Sequence, residues 1–266
     1  MQTWTGRVNN ALAFLILVLA FKTQAQETLL LTTDASRELR KGISVLLIPF
    51  ENRMYRSDYD RNFCEESKQL PKTIKHQFRN GLNEQCYGVL QKSGYKVVDL
   101  MEDTALSKPT LFKIYSNTAF DFVNVPDPLH FKAPKTEAKS QTLVKGQLVV
   151  ESQTNQRFMN ARLLSVPMLQ ELKSTFKTGL FVYFNQLDII SNAAVNAYQF
   201  SNSQQRVTVH YTVFNDTGLE LHSGILTCEL PTQTNAKLLI QTCFKSIATQ
   251  LLERIDFVLF PKKSKK

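Results

Sequence analysis

The chain reads as an α/β (α+β) domain built on a mixed sheet of five or more strands. Three observations predict this. Residues 42–50, Gly-Ile-Ser-Val-Leu-Leu-Ile-Pro-Phe, form a short apolar run rich in branched side chains. That pattern suits a strand buried on both faces, ended where Pro49 cannot donate to a ladder. Residues 71–93 place Ile74, Phe78, Leu82, Cys86 and Leu90 on one stripe, widened by Val89. This is an amphipathic helix, with Pro71 in its first turn and Gly94 as its stop. Residues 95–100 are a second strand, so the three make a βαβ unit with a right-handed crossover and a parallel pair. Residues 204–214 and 219–230 supply the third observation, two runs joined by Asn215-Asp216-Thr217-Gly218. That tetrapeptide suits a type I turn with glycine in the left-handed position, which makes a β-hairpin.

The other elements follow in order. Residues 1–25 read as a secretory signal: Arg7 with no acid before it, an apolar run over 11–21, and small residues Thr23 and Ala25 before the cut. The run is about half of the roughly 20 residues a membrane span needs. Residues 26–41 are a polar lead-in. Residues 51–61 read as a polar loop leaving the end of the first strand. Residues 103–116 suggest a helix with Leu106, Leu111, Ile114 and Tyr115 inward and Pro109 near its start. Residues 120–125 are extended, and 124–142, with Pro126, Pro128 and Pro134, are an insertion loop. Residues 143–151 and 157–163 look like short strands joined at 153–155. Ser165 caps a helix carrying Met168, Leu169, Leu172 and Phe176. Residues 180–190 are a long apolar strand.

In the hairpin, Val207, Val209, Tyr211 and Val213 share a face, and the turn sets Val213 opposite Leu221 and Val209 opposite Ile225. That register puts His210 and His222 on one face as diagonal neighbours. Residues 235–257 form one last helix with Ala236, Ile240, Cys243, Phe244, Ile247, Leu251 and Ile255 inward. One domain therefore spans 42–260, followed by a basic tail over 261–266 that holds Lys262, Lys263, Lys265 and Lys266.

The chain is 43% hydrophobic and 21% charged, which argues against disorder. Its net charge of +9 is spread out, and export removes the usual nucleic-acid partner, so nucleic acid is not expected. The lysine tail suits peripheral contact with an anionic surface. No transmembrane span is expected after signal cleavage. The even cysteine count, Cys64, Cys86, Cys228 and Cys243, permits three full disulfide pairings in an exported chain. Cys86 and Cys243 sit on apolar helix stripes, so buried thiols are the expectation here over bridges.

Nucleophile elbows, phosphate loops, dinucleotide fingerprints and zinc-protease motifs are all missing from the sequence. Asp58 and Asp60 lack the rest of a calcium loop, and Cys64 has no histidine that spacing places beside it. No cofactor, metal site or catalytic residue is therefore assigned. The one candidate contact region is the segment after the first strand, at the position where open α/β sheets hold ligands. Its candidate residues are Arg53, Tyr55, Arg56, Asp58 and Tyr59.

The order of parts, from Leu-Leu-Ile-Pro-Phe at 46–50 through Gly94-Tyr95-Lys96-Val97-Val98-Asp99 to the Asn215–Gly218 turn and closing helix, resembles a known α/β domain. That domain is shared by the curli-assembly lipoprotein, the penicillin-binding-protein activators and the TolB amino-terminal domain. Pro49-Phe50 with Met54-Tyr55 also resembles uncharacterised exported proteins of the Bacteroidetes type. The resemblance implies a periplasmic or envelope location and action through envelope proteins. It transfers no catalytic residues. This chain lacks the lipid-anchor cysteine, and its candidate inserts are polar or proline-broken, so the curli channel is not carried over. Three functions follow as expectations: a non-enzymatic envelope domain working by protein contact, a periplasmic small-ligand or glycan-binding module using 51–61, and an exported enzyme.

Overall fold

The computed structural model describes residues 37–101, 104–124, 143–144, 147–148, 157–191, 204–231 and 234–261. The signal and tail expectations, most of the lead-in, residues 125–142 of the insertion loop and the 153–155 junction lie outside these residues, as do Asp103 and the side chain of Leu106. Among the described residues no helix is long and apolar enough to cross a membrane.

Strand β1 (Ser44–Ile48) is an interior strand of a six-stranded mixed sheet. It pairs in parallel with β3 (Lys96–Asp99) on one side and with β8 (Leu180–Ser191) on the other. Strand β8 then runs antiparallel to β9 (Gln204–Asn215), and β9 to β10 (Glu220–Pro231). A short strand β2 (Tyr55–Ser57) pairs in parallel with β8 beyond the end of β1. As the continuous apolar run requires, Val45, Leu46, Leu47 and Ile48 are all fully buried.

Alternation then splits the strand between two cores. Val45 and Leu47 face the first core, with α2 (Pro71–Lys92) and the last helix. Leu46 and Ile48 face the second, with α3 (Thr104–Ser116) and α4 (Val166–Phe176). The α2 stripe of Ile74, Phe78, Leu82, Cys86 and Leu90 is buried as its spacing predicts. In the second core, Leu111 and Ile114 of α3 and Met168, Leu169 and Leu172 of α4 are likewise inward. Over that core also lies a separate antiparallel pair, β4 (Thr118–Asn124) with β7 (Arg157–Leu163).

Four expectations are corrected. First, residues 51–61 are not a loop. They form a 3-10 turn (Asn52–Met54), β2, and the start of helix α1 (Asp60–Ser67), because β8 runs on past β1 and offers an edge that β2 fills. Second, the turn closes as predicted, with Asn215 and Leu219 bonded at 3.0 Å and Gly218 at φ 83°, but a bulge between Glu220 and His222 slips the register by one residue. Val213 therefore faces His222, and Val209 faces Leu226. A one-residue slip moves every later side chain to the other face. Leu226 is buried in the first core, and His210 and His222 are on opposite faces.

Third, Cys228 and Cys243 form a disulfide. The bulge turns Cys228 toward the last helix, which the unbulged register would not do. Cys64 and Cys86 are free thiols. Fourth, the last helix is broken: α5 (Ala236–Leu239), with Asn235 capping the Leu238 N–H, passes through a π turn (Ile240–Phe244) into α6 (Lys245–Leu259). At residues 143–151, the described part is two two-residue strands, β5 (Leu143–Val144) and β6 (Gln147–Leu148), paired with each other.

Candidate functional site

Strand alternation decides what the segment after β1 presents. In β2, Tyr55 points inward and Arg56 outward. Tyr55 is only 9% exposed, with its ring centroid 6.4 Å from that of Phe50 and 6.1 Å from that of Phe78. Its hydroxyl donates to the Asp60 carboxylate. Burial first, and this bond second, push its phenol pKa up. Tyr59 is 8% exposed and its ring is 6.4 Å from that of Phe63. Arg53, Arg56 and Asp58 are exposed. Arg53 Nε donates to Glu51 at 2.7 Å, and Asp58 Oδ2 accepts the Ser191 N–H at 3.1 Å. The five predicted residues are thus split between two tyrosine anchors in the core and three charged groups on the surface.

At the carboxyl end of β1 lie residues that the sequence reading missed. Pro49 ends the ladder, and buried carbonyls need partners. Tyr115 donates to Pro49 O at 2.6 Å, and Arg79 Nε donates to Phe50 O at 2.8 Å. Arg79 Nη2 also donates to the Tyr115 oxygen at 2.7 Å. Burial pushes the Tyr115 phenol up to about 12, against the opposing pull of Arg79. Beside them Asn83, buried on α2, donates to Asp99 Oδ1 at 2.7 Å, which also accepts the Met101 N–H at 2.9 Å. A signal was present: Arg79 and Asn83 are four apart and flank Phe78 and Leu82 by one position, so the helix carries a polar row along the edge of its apolar stripe.

A second polar cluster lies under β7. His210 Nδ1 accepts the Met159 N–H at 2.9 Å, and Nε2 is 3.3 Å from Asp188 Oδ2. Thr212 Oγ1 accepts from Ala161 N–H at 3.1 Å and from Asn185 Nδ2 at 2.7 Å, and donates to Asn160 Oδ1 at 2.5 Å. Asn185 also donates to Met159 O at 2.9 Å. It sits in a bulge of β8 between Phe184 and Gln186, which turns it into this layer. The cluster satisfies the edge of β7 against the sheet, as buried backbone requires.

With both imidazole nitrogens engaged, His210 has no free nitrogen to act as a base in this arrangement. On the other face His222 stacks on Tyr211, at 5.7 Å and 6° between planes. Desolvation, and then Asp60 and Glu65, push the Cys64 thiol pKa up. Among the described residues no group of three His, Cys, Asp or Glu side chains has the arrangement to hold a metal.

No family model matches the chain, and no curated protein matches it. Among solved structures it is similar to lipoprotein GNA1162 from Neisseria meningitidis, at 14% identity and a TM-score of 0.30 over 79% of this chain and 99% of that one. It is also similar to the hypothetical protein CT253 from Chlamydia trachomatis, at 11% identity and a TM-score of 0.40 over 82% of this chain and 98% of that one. These are loose likenesses in the course of the chain.

Proposed function

We propose that this chain is an exported, envelope-associated α/β domain that works through contacts with other envelope proteins, in envelope assembly, without chemistry of its own. The observation that carries this reading is the anchoring of residues 51–61. Tyr55 and Tyr59 tie the segment into the core, so Arg53, Arg56 and Asp58 are presented from fixed backbone. Pre-ordered surface charge of mixed sign favours a specific protein partner, since little ordering entropy remains to be lost on binding. The signal-like N-terminus and the Cys228–Cys243 bridge support an oxidising compartment. The test is crosslinking of the full-length protein in intact cells, followed by mass spectrometry, beside the double variant Arg53→Glu and Arg56→Glu. A small set of envelope proteins is expected with the native chain and should vanish with the variant at unchanged Tm. Equal recovery from both overturns the role of this segment.

The Arg79 and Tyr115 pair favours a second reading, a small-ligand or glycan-binding module, because it lies at the carboxyl end of a parallel strand. Burial of Tyr55 and Tyr59 leaves that module without exposed aromatic faces in the segment. A metabolite and glycan screen by thermal shift, native against Arg79→Lys, checks it: a shift that the variant abolishes supports the module, and no shift removes it.

A further inference from the structure

We propose that the Cys228–Cys243 disulfide is a redox clasp that holds the π turn open, and that the groove between α2 and the last helix takes its shape only when the clasp is closed. Two neighbours make opposite demands on this turn. Cys243 reaches across to Cys228 on β10, in the sheet. Ile240 packs on Gly81 of α2, so tightly that a Cβ on Gly81 would stand 2.8 Å from Ile240 Cγ2. The two residues are three positions apart. In an α-helix, positions three apart lie about 60° from each other around the axis. The wider i→i+5 turn opens that to roughly 115°. The π turn is therefore what lets Cys243 face the sheet while Ile240 faces α2.

The pins on either side of the turn differ in kind. Below it, Gln250 donates to Thr227 O at 2.9 Å and ties α6 to β10 without help from sulfur. Above it, α5 spans only Ala236–Leu239 and is held by the packing of Ala236 and Leu239 in the first core. Opening the bridge thus leaves the turn and α5 to the apolar packing of Leu239 and Phe244, while α6 keeps its hydrogen bond to β10.

The groove that depends on this geometry has a volume of about 500 Å³. Asn80, Gly81 and Glu84 line it from α2, and Lys237, Ile240 and Gln241 from the other wall. Closing the clasp breaks the two S–H bonds, forms one S–S bond and releases two protons. The two electrons pass to the disulfide of an exchange protein of the dithiol–disulfide class, which becomes a dithiol. Chain that has not met such an oxidant lacks the groove, so this surface belongs to the oxidised protein.

Hydrogen exchange on the purified full chain, oxidised against treated with a dithiol reductant, tests the clasp and needs no knowledge of the partner or the compartment. Reduction is expected to speed exchange at least about tenfold in residues 236–244, with a smaller rise around Gly81 and little change in the β8–β9 pairing. Cys228→Ser should reproduce the pattern without reductant. Ile240→Ala in the oxidised protein should leave 236–244 protected, because sulfur still holds the turn. Two results overturn the proposal: unchanged protection of 236–244 after reduction, or loss of protection everywhere, which makes the bridge a staple for the whole domain.

Discussion

The two faces of the sheet are covered by different means. The first is covered by α2 and the last helix, chiefly through apolar side chains that repeat at helical spacing. The second is covered by shorter helices and by the β4–β7 pair, whose edge is met by His210, Thr212 and Asn185 through hydrogen bonds. Apolar cover gains stability in proportion to area, with little demand on angle. Polar cover gains less, and leaves a cost behind when any one member is lost.

This contrast can be tested from its largest effect to its smallest. Phe78→Ala on the apolar face should cost about 3–5 kcal/mol, read as the urea midpoint at unchanged slope. A smaller loss would mean that the helix re-seats itself. The alkaline limb comes next. The folded chain keeps the Tyr115 proton to about 12, while the unfolded chain releases it near 10. Tyr55, Tyr95, Tyr183 and Tyr211 are also raised, chiefly by burial. The folded state thus holds more protons above about pH 10, so stability should be level below that value and fall as pH rises through it. Thermal melts across pH 8 to 12 check this, and Tyr115→Phe should make the fall shallower.

Asn185→Ala should cost about 2 kcal/mol, because Met159 O and Thr212 Oγ1 each lose a donor. Its mark should be faster exchange in β7 without a change in α2. If α2 responds equally, the two faces are one cooperative layer. The smallest effect concerns the hairpin turn. Lys173 beside Asp216 holds that carboxylate below its usual range. This contribution is complete above the unfolded carboxylate pKa and is lost as pH falls through the depressed one. The pair is exposed, so Lys173→Met should flatten the acid limb only slightly.

The difference between the faces also decided what could be read from the sequence. The α2 stripe, β1 and the turn at Asn215–Gly218 are local patterns, and each is found where its spacing places it. The candidate segment was legible as a region but not in its roles. Tyr55 and Tyr59 look like ligand-facing aromatics until β8 is known to extend past β1 and recruit β2. The bulges at Leu221 and Asn185 leave no mark in the hydrophobic period, yet one of them reassigns His222, Leu226 and Cys228 to another face. The disulfide was missed for that reason: the face of Cys228 is set by a slip that tertiary packing imposes.

The position of β1 has a consequence for the order of events in time. This interior strand is made early, but its partner Leu180–Tyr183 is encoded more than 130 residues later. Arg40, just ahead of it, waits longer still for Asp256, which it grips at 2.9 Å and 2.5 Å while Tyr95 donates to the same carboxylate at 2.7 Å. Contacts of such long separation form slowly, because the loop must close before they give anything back. A growing chain of this design cannot pair both sides of β1 until residues 180–183 have been synthesised. The last helix, arriving at the end of synthesis, is what lets Arg40 and Tyr95 close on Asp256.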